Sequence, residues 1–122
     1  MDFKIARKNM VENQIRANKV TSLNVINAFL DVPREKFVPD ALQEISYVDE
    51  DIQLSRNRFM MKPMILARLF QSLNLKGNEN VLHVGSNSGY GSAILSKICS
   101  SVISLESDKK LFETSIYTFS NM

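Results

Sequence analysis

The run His83-Val84-Gly85-Ser86-Asn87-Ser88-Gly89-Tyr90-Gly91 decides the fold. The short apolar stretch Val81-Leu82-His83-Val84 leads into it. A helical pattern from Ser88 to Cys99 follows, with Ala93, Ile94, Leu95 and Ile98 facing inward. Val102-Ile103-Ser104-Leu105-Glu106 is a second short strand. Asp108 can then cap a last helix whose apolar positions are Leu111, Phe112, Ile116 and Tyr117. Strand, glycine turn, helix, strand is a βαβ unit. It predicts two parallel strands joined by a right-handed crossover.

The turn also carries chemistry. A glycine at position 85 lets the chain bend sharply and lets a ligand approach the backbone without meeting a Cβ. Gly89 opens a helix whose free N–H groups favour anions and acceptor oxygens. Glu106 stands 21 residues after Gly85, at the end of the next strand. Parallel pairing brings its carboxylate to the same crevice, where it can accept hydrogen bonds from both hydroxyls of a ribose. This placement suggests a nucleoside-bearing cofactor. The same turn also occurs in α/β proteins that bind nothing there. The dinucleotide pattern, with glycines at 85, 87 and 90, is broken by Asn87 and Tyr90. His83 reads first as a polar residue where the strand emerges, since no second histidine or nearby cysteine completes a metal or nucleophile site.

Upstream of Gly77 the texture is helical and irregular. Met10, Val11, Gln14 and Ile15 lie at helical spacing in a stretch free of Gly and Pro from Lys4 to Lys19. Thr21 or Ser22 can cap a second helix with the face Val25, Ile26, Phe29 and Leu30, which Pro33 stops. Pro33 to Pro39 is a connector anchored by Phe37 and Val38, and residues 45–58 form a loop with one short strand. Pro63 suits a first helical turn. Ile65, Leu66, Leu69, Phe70 and Leu73 give that helix its face, and Lys76-Gly77 ends it. Met60, Met61 and Met64 read as packing around the helix start. The acidic run Asp49-Glu50-Asp51 reads as a polar loop.

Composition narrows the function classes. The chain has 122 residues, 44% apolar and 23% charged, with a net charge of +2. That suits one ordinary globular domain. The basic excess lies near the N-terminus and forms no dense stripe, so a nucleic-acid partner is not expected. No apolar run approaches the roughly 20 residues of a membrane helix, and the N-terminus lacks a secretory pattern. Cys99 is the single cysteine, which fits a reducing, cytoplasmic setting.

With these residues in view, the chain resembles the protein-L-isoaspartate O-methyltransferases over about Asn9 to Asp108. The similar blocks are Met10-Val11-Glu12-Asn13-Gln14-Ile15-Arg16, Tyr47 with Asp49, Val81 to Tyr90, and Val102 to Glu106. Val32-Pro33-Arg34-Glu35-Lys36-Phe37-Val38-Pro39 is the most specific match, because little in its local structure requires it. The resemblance implies an α/β, Rossmann-like methyltransferase fold. A helical, substrate-side region would occupy residues 1–76 and the first βαβ unit of the cofactor domain residues 77–122, leaving the sheet incomplete and the chain shorter than the family's domain. It implies S-adenosylmethionine as cofactor, held by Gly85, Ser86, Asn87, Gly89 and Glu106. It also implies methyl transfer to the carboxylate of L-isoaspartyl residues in damaged proteins or peptides. No catalytic residue and no metal ligand is assigned.

The chain departs from the family pattern at three positions. His83 stands where the family has an acid, Asn87 where it has a glycine, and Met61 where it has a serine two positions before Pro63. These departures and the short chain predict impaired activity. They keep open a non-enzymatic remnant or interaction module, completed through its open sheet edge by a partner or a second copy. A generic nucleotide-binding module is a third reading.

Overall fold

A computed structural model describes residues 1–122. The chain starts with helix α1 (Phe3–Met10), capped by Asp2, whose carboxylate accepts from the N–H of Lys4 and Ile5. The helical path continues through a wider turn at Val11–Ile15 and a tight one at Arg16–Asn18, ending at left-handed Lys19. The wide turn keeps both Val11 and Ile15 fully buried. Helix α2 (Leu23–Asp31) follows, with Ser22 as its cap. Val25, Ile26 and Phe29 are buried as the spacing predicts, and Leu30 packs at the edge.

Two tight helical turns, Arg34–Phe37 and Asp40–Ile45, lead to a hairpin. This hairpin corrects the reading of residues 45–58 as a loop with one strand. Strand β1 (Ile52–Ser55) pairs antiparallel with β2 (Arg58–Met60), through a bulge between Gln53 and Ser55. The pairing was hidden because neither strand alternates cleanly, and only Ile52 and Met60 are buried in them.

Helix α3 (Pro63–Ser72) begins at Pro63 as expected and ends earlier than Lys76-Gly77. Asn74, which tolerates left-handed angles, takes a φ of 52° and turns the chain first. Gln71 of α3 holds the α1–α2 loop. Its side chain accepts from the N–H groups of Thr21 and Ser22 and donates to the Lys19 carbonyl.

The βαβ unit forms as predicted. Strand β3 (Asn80–Val84) lies parallel to β4 (Ser101–Leu105), in the register Asn80↔Ser101 to Val84↔Leu105. Helix α4 (Tyr90–Ser96) connects them and is shorter than the Ser88–Cys99 reading, since Gly89 is its left-handed cap and Lys97–Cys99 leave as a turn. Val81, His83, Val102 and Ser104 face α4. Leu82, Val84, Ile103 and Leu105 face outward and are exposed.

Helix α5 (Lys109–Ser120), capped by Asp108, buries Leu111 as predicted but not the rest of the predicted face. Leu111, Ser115 and Thr118 are buried, whereas Phe112, Ile116 and Tyr117 are exposed. Ser115 and the Phe119 ring sit against Gly89, which has no Cβ to keep them away.

One core serves the whole chain. Its 22 buried residues run from Met10 and Val11 through Phe29 and Phe37 to Ile94, Leu95 and Ile98, so α4 packs on the sheet on one side and on α2 on the other. Tyr90 joins the halves, edge-on to Phe29 at 6.0 Å and tilted on Phe37 at 5.6 Å.

Candidate functional site: the glycine turn and its acid

The turn after β3 is held open by backbone contacts. The Leu105 carbonyl accepts from the N–H of Gly85 at 2.8 Å and of Ser86 at 3.2 Å, so the end of β4 fixes the path of the turn. Three residues adopt left-handed φ: Gly85 at 71°, Asn87 at 56° and Gly89 at 101°. Asn87 thus meets the backbone demand of the position without a glycine, at modest cost. A Cβ at Gly85 would point toward the Arg58 side chain at 3.8 Å, whereas one at Gly89 would strike the Phe119 ring at 2.9 Å.

The candidate residues therefore divide. Gly85, Ser86 and Asn87 line a cavity of about 220 Å³, together with Met60, Met61 and His83. Glu106 lines an adjoining groove with Val84, Gly85 and Ser107. Gly89 lines neither. Its need for glycine comes from its φ and from Phe119. Gly89→Ala is expected to destabilise the fold by about 2 kcal/mol, from the left-handed strain plus the displaced ring. A chemical-denaturation midpoint measures it, and an unchanged midpoint would show that the turn relaxes freely.

Glu106 is the centre of the site. Its side chain is 1% exposed and accepts from the backbone N–H of Asn87 at 2.6 Å and of Asp108 at 2.8 Å. Arg58 adds a two-pronged contact, donating from Nη1 to Oε2 at 2.7 Å and from Nη2 to Oε1. Burial pushes the carboxyl up, but Arg58 and the backbone donors outweigh it and hold Glu106 below the usual carboxylate range. Sequence reading missed Arg58. No local pattern marks a single arginine 48 residues upstream as the partner of this acid.

His83 lines the cavity from beneath the turn. Its Nδ1 is 2.7 Å from Ser92 Oγ, which in turn accepts from Ser104 Oγ at 2.6 Å. Burial lowers its pKa, with Glu106 opposing weakly. The folded state therefore prefers neutral histidine, and the unfolded chain binds the proton more readily. Stability is present above the ordinary histidine pKa of about 6.5 and is lost as pH falls below it. The urea midpoint is expected to drop between pH 7.5 and 5.5, and His83→Gln is expected to flatten that drop. Equal slopes in both proteins would contradict this.

Beneath the site lies an ionic cluster supplied by the Pro33–Pro39 block. Arg34 is fully buried and donates from Nε to the Ser46 carbonyl at 2.6 Å and from Nη2 to the Met61 carbonyl at 3.2 Å. Its guanidinium carbon lies 4.9 Å from the centre of the Tyr90 ring. Glu35 accepts from Tyr47 Oη and from Arg7 Nη2 at 3.1 Å, and Arg7 Nε donates to Tyr47 Oη at 2.8 Å. Burial depresses the Arg34 pKa, and the neighbouring Tyr90 opposes that shift. That of Tyr90 itself is pushed up to about 12 by its full burial. The block thus has a structural task that spacing alone did not show. It fixes Met61, on the cavity wall, against Tyr90 at the start of α4.

Both methionines line the cavity, Met60 from the core and Met61 from the surface, where it is 37% exposed. Asp51, from the acidic run, accepts from the Lys62 N–H at 2.8 Å. No helix is long and apolar enough to cross a membrane.

The parallel βαβ unit, the glycine turn and the strand-end acid make this a Rossmann-like α/β fold, and solved methyltransferase structures share it. The model of the family "Protein-L-isoaspartate(D-aspartate) O-methyltransferase (PCMT)" matches residues 5–122, and the chain belongs to that family. Protein-L-isoaspartate O-methyltransferase 2 of Anaeromyxobacter sp. (strain Fw109-5) is 35% identical over 116 residues, covering 95% of this chain and 48% of the relative. The enzyme of Syntrophotalea carbinolica is 39% identical over 106 residues, covering 87% and 49%. A solved structure from Plasmodium falciparum is described as a protein-L-isoaspartate O-methyltransferase in complex with S-adenosyl-L-homocysteine. It superposes with a TM-score of 0.78 at 27% identity, over 94% of this chain and 55% of that one. The chain spans about half the length of the curated relatives it matches.

The residues present can be tested against such a nucleoside ligand. Asn87 Oδ1 and Ser88 Oγ are buried at the cavity without hydrogen-bond partners, which suits a polar ligand there. The backbone at Gly85 is open on the ligand side. The Glu106 carboxylate is in place, with Arg58 on it. The turn offers open backbone and a carboxylate suited to ribose hydroxyls, two of whose acceptor positions Arg58 occupies.

Proposed function

We propose that this chain carries the nucleoside-binding part of an S-adenosylmethionine site. We infer that it serves methyl transfer to the carboxylate of L-isoaspartyl residues in damaged proteins. The observation that carries the reading is the position of Glu106. Its carboxylate lies at the end of β4 and is tied to the Asn87 N–H in the adjacent glycine turn. The relatives' names and the ligand of the Plasmodium falciparum structure support the same reading.

The roles of the residues follow from their places. Glu106 would hold the ribose hydroxyls, and the Gly85-Ser86-Asn87 backbone would lie along the ligand. When bound, the cofactor supplies an electrophilic methyl group on a sulfonium. An isoaspartyl carboxylate is already ionised at neutral pH, so little base catalysis is needed. What the protein must supply is mainly alignment of the two reactants. His83 and Met61 offer neither a carboxylate nor a hydroxyl at the ligand, and reduced activity of the chain is part of the proposal. A reducing, cytoplasmic setting goes with it, since Cys99 is a buried free thiol.

Labelled S-adenosylmethionine with paired peptides, one containing isoaspartate and one aspartate, tests the function. Base-labile label on the isoaspartyl peptide alone is expected, at a rate below that of a relative carrying the serine and the acid. Label on both peptides, or on neither, would overturn the substrate assignment.

A second reading has its own support. Leu82, Val84, Ile103 and Leu105 expose an apolar sheet face, and both outer edges of the two-stranded sheet are unpaired. Such a face favours a covering partner or a second copy. Sedimentation velocity separates the readings. A monomer that still binds the cofactor would oppose an interaction module.

A further inference from the structure

Glu106 has no free acceptor capacity. An ionised carboxylate offers about four lone-pair positions, two on each oxygen. Oε1 accepts from Asn87 N–H and from Arg58 Nη2, and Oε2 accepts from Asp108 N–H and from Arg58 Nη1. Two of the four positions belong to backbone that forms the turn and the α5 cap. The other two belong to a side chain on β2, which can leave. Arg58 keeps a quarter of its side-chain surface exposed, while Glu106 is 1% exposed. A short route to water is therefore open to the arginine and closed to the acid. The groove beside the pair is walled by Val84, Gly85, Leu105 and Ser107, and Arg58 stands in it.

We propose that Arg58 is a latch on the ribose acid and sets the affinity of the site for hydroxyl-bearing nucleosides. The proposal rests on the nucleoside reading above and deepens it. A ribose diol needs the same two acceptor positions that Arg58 fills, so ligand and arginine exclude each other at Glu106. Measured affinity is then the intrinsic affinity reduced by the fraction of molecules in which Arg58 has swung away. The linkage is reciprocal: whatever displaces Arg58 from Glu106 also loosens the β1–β2 hairpin tip, leaving it tied to the turn only by the Asn87 Nδ2 contact to the Phe59 carbonyl at 2.9 Å. Arg58 is a positioning residue in this account, since it acts through Glu106.

Calorimetric titration with S-adenosyl-L-homocysteine, on the full chain and on Arg58→Met and Arg58→Lys, tests the latch. Hydrogen exchange over residues 53–59 is read in the same samples. Arg58→Met is expected to bind roughly tenfold tighter or more, the scale of one charge-assisted contact released. Arg58→Lys keeps the charge but not the fork, so it should fall between. Ligand should speed hairpin exchange in the unaltered protein and leave it unchanged in Arg58→Met. Equal or weaker binding by Arg58→Met, with the unaltered protein binding normally, overturns the latch and leaves the nucleoside site standing. Absence of binding to all three proteins at millimolar ligand overturns both, because an unlatched acid must then bind.

Discussion

Arg34→Ala is expected to lower the stability of the fold by about 3 kcal/mol, the cost of stranding two buried carbonyl acceptors and emptying a packed site. The residue is fully buried and has no route to water. Its removal leaves the Ser46 and Met61 carbonyls without their donor and opens a cavity beside Tyr90. Each stranded acceptor costs about 1–3 kcal/mol, before the lost packing is counted. Arg34→Lys should recover only part of this, because a single ammonium cannot reach both carbonyls and lie flat on a ring. The effect should also reach the site. Met61 and Tyr90 both line the cavity, so a loosened Arg34 lets the cavity wall move. Denaturant midpoints of both variants measure the first effect, and the near-ultraviolet signal of the tyrosines reports the second. A loss below about 1 kcal/mol would mean that water enters and solvates the site.

Glu106→Gln is the second large effect. The amide keeps the shape but brings an NH₂ group where the carboxylate met donors on every side. At least one backbone N–H, of Asn87 or Asp108, loses its acceptor, and Arg58 loses its counter-charge. Arg58 can return to water, so the penalty falls below that of a fully enclosed pair, at about 2 kcal/mol. The acid also holds its proton less tightly in the fold than in the open chain, with Arg58 and the backbone donors outweighing burial. Its contribution is thus present above the ordinary glutamate pKa of about 4.3 and is lost as pH falls through the lower folded value. The variant should be less stable at pH 7, with the gap to the unaltered protein narrowing below pH 4. A constant gap would place the stabilisation elsewhere. Nucleoside binding should fall with the same substitution, since the amide can accept from only one of two hydroxyls.

These two residues also mark the limits of what the sequence could reveal. Glu106 was legible because strand periodicity and parallel pairing convert a spacing of 21 residues into a position beside Gly85. Ser22, Pro63 and Asp108 were legible because capping and proline chemistry are local. Arg34 was visible only as part of a resemblance. Its work is done by contacts to residues 12 and 27 positions away, which no local period encodes. The hairpin was missed because its strands are held by two buried ends rather than by alternation. With the hairpin, Arg58 was missed as well. On α5 Leu111 is buried as its spacing predicts, but Ser115 and Thr118 rather than Phe112, Ile116 and Tyr117 complete the buried face, a placement set by tertiary contacts such as that of Ser115 with Gly89. His83 was placed correctly in the strand, but its link to Ser92 needed the register of β3 against β4 and the pitch of α4 together.

In the proposed site the glycine turn and Glu106 hold one nucleoside between them. An ¹⁵N-resolved titration with S-adenosyl-L-homocysteine tests it most directly, because the amides of Gly85, Asn87 and Asp108 report the turn and the acid separately. All three are expected to shift together and saturate at one ligand concentration, while amides on the exposed face at Leu82 and Ile103 stay in place. Saturable binding that leaves these three amides unmoved, or no movement at millimolar ligand, would contradict it.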